Sequence, residues 1–168
     1  MKNIYLVGFM GTGKTIVGQI LAKELGKEFV EMDACIEERN SLKIVDIFAQ
    51  KGEAYFRGLE KILLGELSQK EDLVISCGGG LVCDSDNLKQ LKETGAVFAL
   101  KASVSTIYQR TKGHTHRPIL NVDNPPEKIE QLLKKRACCY AQAQYSIDTD
   151  DLSPEEVANK IIDILSHG

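Results

Sequence analysis

The 168-residue chain has no surplus of positive charge: 21 Lys and Arg stand against 24 Asp and Glu, a formal charge of −3. Nonspecific nucleic-acid binding draws on a cationic excess or a basic face, so no nucleic-acid partner is expected. There is also no long apolar run. Stretches such as Ile4–Val7 and Val97–Leu100 are far too short to span a bilayer, and no membrane partner is expected. The opening Met1-Lys2-Asn3-Ile4-Tyr5-Leu6-Val7-Gly8 has no small-residue cleavage site, and a glycine-rich loop follows it at once. It reads as a strand and not as a signal peptide. The five cysteines, Cys35, Cys77, Cys83, Cys138 and Cys139, are odd in number, form no C-x-x-C pair and have no His-x-x-x-His beside them. That pattern argues against a disulfide framework or a zinc site and for a reducing, cytoplasmic setting. Adjacent Cys138 and Cys139 read either as small packing residues on a helix or as a redox element. Repeats, low-complexity tracts and linkers are absent too. With 43% apolar and 27% charged residues, the chain is expected to form one domain over 1–168 with a sizeable core.

What the sequence does have is alternation. Short β-type runs occur at Ile4–Val7, Glu28–Met32, Leu73–Ser76, Ala96–Leu100 and, more weakly, Tyr145–Ile147. Helical patterns separate them. Thr15–Leu25 places Val17, Leu21 and Leu25 on one face and closes at Gly26, a helix C-cap signal. Ile44–Gln50, Gly52–Leu67, Ser85–Glu93, Val104–Thr111, Pro126–Ala143 and Pro154–Ser166 follow. The last opens with the capping signature Ser153-Pro154-Glu155-Glu156. Strands alternating with helices predict an α/β fold with a mostly parallel sheet, whose ligands collect at the carboxyl ends of the strands. The polar stretch from Lys112 through Pro126, with Gly113, Pro118 and Pro125, breaks this rhythm and reads as an active-site lid at about 112–125, or as a surface excursion.

Gly8-Phe9-Met10-Gly11-Thr12-Gly13-Lys14-Thr15 matches G-x-x-x-x-G-K-[ST] in full, with an apolar strand before it and an amphipathic helix after it. Gly11 and Gly13 permit torsions and close approach that a Cβ would obstruct. The loop's N–H groups, including that of Thr12, and the helix N-terminus then face phosphate. Lys14 supplies a point charge to the β- and γ-oxygens, and the Thr15 hydroxyl can ligate Mg²⁺. A nucleoside triphosphate with magnesium is therefore expected. A GTPase would carry N-K-x-D; the nearest string, Asn159-Lys160-Ile161-Ile162-Asp163, has the wrong spacing. The short chain favours a compact kinase.

Three signals lie where an acceptor would sit. Glu31-Met32-Asp33 ends the second strand, where one carboxylate could assist Mg²⁺ and the other orient an acceptor hydroxyl. Asp33 could equally cap a helix containing Ile36. Arg57, one turn into a helix opened by Gly52-Glu53, could fork onto a carboxylate or pair with Glu53 or Glu60 on an exposed face. Gly78-Gly79-Gly80, after the third strand, would let a ligand lie against backbone N–H groups.

Together these strings resemble the shikimate kinase family. They include the P-loop, Phe29–Asp33, Ile47-Phe48 with Gly52-Glu53 and Phe56-Arg57, and Gly78–Gly80. Arg117-Pro118-Ile119-Leu120, Arg136 with Tyr140, and Asp150-Asp151 continue the likeness, which runs from about residue 3 to 166. The resemblance implies a nucleoside-monophosphate-kinase-like, three-layer α/β/α sandwich around a five-stranded parallel sheet, with a mobile lid. It also implies transfer of the γ-phosphoryl of ATP to the 3-hydroxyl of shikimate, with Mg²⁺, in aromatic amino-acid biosynthesis. Carried over by position, Asp33 binds the shikimate hydroxyls and acts as base. Arg57 and Arg136 grip the carboxylate, with Gly79, between Gly78 and Gly80, in backbone contact. Arg117 reaches the ATP phosphates, Arg110 flanks adenine, and Ile16 completes the nucleotide-binding set with Gly11 to Thr15. A monomer is expected. His114 and His116 read as solvated lid residues. The chain departs from the family at Glu31, where Asp is usual, and at Ala137, where proline usually follows the arginine of the late helix. A related small-molecule kinase, such as a gluconate kinase, and a nucleotide-sensing module without transfer remain the competing readings.

Overall fold

The computed structural model describes residues 2–113 and 122–167. Five strands form one wholly parallel sheet: β1 (Asn3–Val7), β2 (Glu28–Glu31), β3 (Leu73–Ser76), β4 (Gly95–Lys101) and β5 (Tyr145–Asp148). Their spatial order is β2-β3-β1-β4-β5, so β1 is central and the chain leads away on both sides of it. The eight α-helices among the described residues are α1 (Lys14–Leu25), α2 (Met32–Asn40), α3 (Ile44–Lys51), α4 (Glu53–Leu67), α5 (Ser85–Thr94), α6 (Val104–Thr111), α7 (Pro125–Tyr140) and α8 (Pro154–His167).

The period-2 alternation of the strands produces three layers. Ile4, Leu6, Val74, Phe98, Leu100 and Ile147 point to one face and pack with Val17, Leu21 and Ala22 of α1 and Val157, Ala158 and Ile161 of α8. Tyr5, Val7, Ile75, Val97 and Ala99 point to the other, against Ile36, Ile47, Phe56, Leu63, Leu64, Leu91, Ile107 and Ile129. Every residue of β1 is buried, as a central parallel strand covered on both faces requires. Helix α1 ends where the sequence predicts. Gly26 takes the left-handed conformation at φ 63°, and backbone N–H groups there close on Ala22 and Lys23 carbonyls.

Several boundaries move by a residue or more, and those of β2 and α7 have a clear physical reason. Met32 was expected to end the second strand; instead it starts α2 and is fully buried, because β2 pairs with β3 only as far as Glu31–Ser76. Asp33 thus lies inside the first turn of α2, and Glu31 holds the cap position. The helix expected over Pro126–Ala143 begins at Pro125, with Asn124 capping it, and stops at Tyr140. Helical periodicity runs on to Ala143, but the chain must turn there for Tyr145 to pair with Phe98, and the Gln144 side chain accepts from the Val97 N–H at 2.8 Å. The proposed lid falls across the undescribed segment: 114–121, including Arg117, His114 and His116, lie outside the described residues.

Candidate active site

The loop that leaves β1 is shaped by its glycines. Gly11 and Gly13 sit at φ 77° and 93°, conformations that L side chains rarely adopt, and Gly13 caps α1 without any side chain. Thr12 is buried and donates to the Phe9 carbonyl at 2.7 Å, pinning the loop's bend. The Lys14 ammonium lies inside the loop, donating to the Gly8 and Phe9 carbonyls at 2.8 and 3.0 Å. A phosphate seated on the N-terminus of α1 would compete for those same hydrogens. Ile16 is 56% exposed on the first turn of α1, so it serves no core.

Thr15 and Glu31, which the sequence treats as separate signals, meet. The Thr15 hydroxyl donates to Glu31 Oε2 at 2.6 Å, linking the P-loop helix to the end of β2. Burial raises the Glu31 carboxyl above its ordinary range, opposed by the hydrogen bond from Thr15 and reinforced by the nearby Asp33 charge. A half-buried carboxylate beside a hydroxyl at a phosphate-binding helix end is a hard-oxygen set that fits Mg²⁺.

Across from the P-loop, β3 delivers Gly78–Gly80 into a ring of charged side chains. A Cβ on Gly78 would collide with Glu60 Oε1 and lie 3.2 Å from Asp33 Oδ1. One on Gly79 would lie 3.4 Å from Arg136 Nη1, and one on Gly80 would lie 2.5 Å from Arg57 Nη2. None of these three glycines has a positive φ, so they are needed here for space and not for torsion. Asp33, Arg57 and Arg136 come from α2, α4 and α7, far apart in sequence, and converge on one loop.

Glu60 is the residue that sequence reasoning undervalued. It is 1% exposed, and its Oε2 accepts from Arg57 Nη1 at 2.6 Å. Burial raises its carboxyl, opposed by Arg57 and assisted by Asp33. Arg57 also donates to Glu53 at 3.2 Å; although burial works the other way, the two glutamates hold its guanidinium above the ordinary value. The expected helix pairs therefore exist, but one is buried and belongs to the site. The i, i+3 spacing was visible; its burial was not. In the sequence, Tyr140 stands out only through its spacing from Arg136. Its hydroxyl donates to the Gly79 carbonyl at 2.6 Å, tying α7 to the glycine loop, and burial pushes it up to about 12. The Arg136 guanidinium stacks over Phe9 of the P-loop at 5.8 Å.

Arg110 braces the P-loop. Its guanidinium donates to the Gly11 carbonyl at 3.1 Å and to Thr149 Oγ1 and O at 3.1 and 3.0 Å, joining the P-loop to the segment after β5. Thr149, buried, was not singled out by the sequence. Of the cysteine pair, Cys138 is exposed, so packing does not account for it; Cys139 is half-buried against the larger core.

A family model for shikimate kinase matches residues 10–166. The chain belongs to the shikimate kinase family. The shikimate kinase of Thermodesulfovibrio yellowstonii is 48% identical over 162 residues, covering 96% of this chain and 94% of that protein. That of Persephonella marina is 45% identical, covering 96% and 98%. The solved structure of shikimate kinase from Acinetobacter baumannii in complex with shikimate superposes with a TM-score of 0.94 at 40% identity, covering 99% of this chain and 94% of that one. The three-layer architecture expected of a shikimate kinase is the one observed, and no helix among the described residues is long and apolar enough to cross a membrane.

Proposed function

We propose that this chain is an ATP-dependent shikimate kinase, forming shikimate 3-phosphate and ADP. The observation that carries the reading is the convergence of Asp33, Arg57 and Arg136 on Gly78–Gly80, facing the P-loop across the carboxyl ends of β1 and β3. Two guanidiniums suit a planar carboxylate, and the glycine backbone lets the ring lie close. In this reading Asp33 orients the 3-hydroxyl and takes its proton. The oxygen–phosphorus bond to shikimate forms as the bond from the γ-phosphorus to the β,γ-bridging oxygen breaks and ADP leaves. Lys14 and the N–H groups of Gly11 to Thr15 offset charge on the phosphates; Ile16 and Arg110 border the nucleotide. Arg117, outside the described residues, keeps the phosphate role that the resemblance gives it. Thr15 and Glu31 would hold Mg²⁺, which when bound with the nucleotide offsets phosphate charge. Glu60 and Tyr140 act by positioning Arg57 and Gly79. A monomer acting in the cytoplasm completes the reading.

ADP release measured with a panel of hydroxy-acids, with and without ATP and Mg²⁺, tests it. Release that depends on shikimate is expected. Turnover with gluconate but none with shikimate, or ATP consumption indifferent to any acceptor, would overturn it.

A further inference from the structure

The G-x-x-x-x-G-K-[ST] motif leaves the residue after its first glycine open, and here that residue is Phe9. Its backbone and its ring serve different neighbours. The carbonyl accepts from the Thr12 hydroxyl at 2.7 Å and from the Lys14 ammonium at 3.0 Å, so the loop holds this backbone fast. The ring is 1% exposed and packs in the larger core cluster, on the side of the sheet that carries α2, α4 and α7. The Arg136 guanidinium sits over that ring, 5.8 Å from its centre. A Cβ on Gly79 would lie 3.4 Å from Arg136 Nη1 and 3.5 Å from the Gly8 carbonyl oxygen, so the P-loop, the glycine wall and Arg136 meet at one place. Tyr140, one turn beyond Arg136, ties α7 to the Gly79 carbonyl at 2.6 Å and sets how closely that helix approaches the loop.

The two arginines of the acceptor side are held by different means. Arg57 is aimed by Glu53 and Glu60, at 3.2 and 2.6 Å. Arg136 forms no ion pair with a carboxylate among the described residues; its cation rests on the Phe9 ring instead. The difference has a chemical consequence. A carboxylate partner offsets charge that an incoming anion needs, whereas an aromatic face steadies a cation through the ring quadrupole and leaves its net charge in place. The planar fork of N–H groups then stays available for bidentate contact. We propose, on the reading of Arg136 as a carboxylate-gripping residue, that Phe9 is a positioning residue for the acceptor: its ring, fixed by the P-loop, aims Arg136 at the acceptor's carboxylate. The P-loop thereby serves both substrates. It meets the phosphates with its N–H groups and Lys14, and it acts on the acceptor through a side chain that the motif leaves open.

Steady-state kinetics on the full chain test this with a double-mutant cycle. Phe9→Leu keeps an apolar side chain and removes the π-face. It should raise the KM for shikimate about two- to fivefold and leave the KM for ATP within about twofold. Phe9→Met, which fills the space more fully without a ring, is the second variant and should behave alike; circular dichroism checks the fold of each. In an Arg136→Ala background nothing remains to be aimed, so adding Phe9→Leu should leave kcat/KM for shikimate unchanged. A ring that only supports the fold would cost the same in both backgrounds, and that result would overturn the proposal. So would an unmoved shikimate KM in folded Phe9 variants, or equal rises in the KM for shikimate and for ATP. Wild type that releases no ADP in response to shikimate would instead overturn the functional reading, and this proposal with it.

Discussion

Glu60→Gln isolates the charge of the one fully buried carboxylate in the site. The substitution keeps the side chain's size and an oxygen to accept from Arg57, so no cavity opens. What is lost is the acceptor's charge in the 2.6 Å bond, while Arg57 still donates as a cation, so the difference between a charged and a neutral bond is an upper bound. A hydrogen bond to a charged group contributes about 1.5–3 kcal/mol and a neutral one about 0.5–1.5. Arg57 is 32% exposed and keeps Glu53 on its other arm, so the lower end of that difference applies. A loss of about 1 kcal/mol in placing the guanidinium corresponds to a rise of roughly fivefold in the KM for shikimate, with the KM for ATP unmoved. Stability should respond in the opposite sense with pH. Burial raises the folded Glu60 carboxyl, so above the ordinary glutamate value the folded state retains a proton that the unfolded chain has released. That contribution is complete below roughly pH 4.3 and is lost as pH rises through the folded value. Glutamine has no such titration. The stability of wild type relative to the variant should therefore fall as pH rises above the ordinary glutamate value, read from thermal unfolding of both proteins. A difference that grows with pH would refute the argument, as would a variant whose ATP KM moves while its shikimate KM does not.

Gly80→Ala and Gly78→Ala should separate binding from folding. The first meets only the movable Arg57 guanidinium, 2.5 Å away, so shikimate KM should rise severalfold with Tm nearly unchanged; the second meets buried Glu60 and should lower Tm by several degrees. Equal effects in calorimetry and kinetics would contradict this. Lys14→Ala should reduce kcat by at least about 10²-fold while circular dichroism shows an intact fold, and near-normal turnover would remove Lys14 from the chemistry. Glu31 tests the metal arrangement through Mg²⁺ titration. If its carboxylate acts through a metal-bound water, Glu31→Asp should leave the apparent Mg²⁺ requirement within a few-fold and Glu31→Gln should weaken it modestly. A loss beyond roughly 100-fold for Glu31→Asp would indicate direct coordination.

Most of what local torsion and short-range periodicity govern was written in the sequence. The P-loop needs positive φ at Gly11 and Gly13 within a strand-loop-helix context, and the string alone carries both requirements. Gly26 closes α1 as expected, and all five strands lie where their β-type runs are. Contacts between residues far apart in sequence were not legible, because nothing local encodes them. Helical spacing put Arg57 beside Glu60, yet only the packing of α4 against the sheet, with Phe56, Leu63 and Leu64 in the core, decides that Glu60 is buried while Arg57 keeps one edge in water. The Thr15–Glu31 bond exists because β2 lies outside β3 in the sheet, an order that five runs of similar length leave undetermined. Tyr140 reaches Gly79 because α7 is packed onto the turn after β3. Residue types fix what chemistry is available through their own bonds and torsions. Which of those groups share one dry volume depends on how the whole chain buries its apolar faces, and only the folded chain decides that.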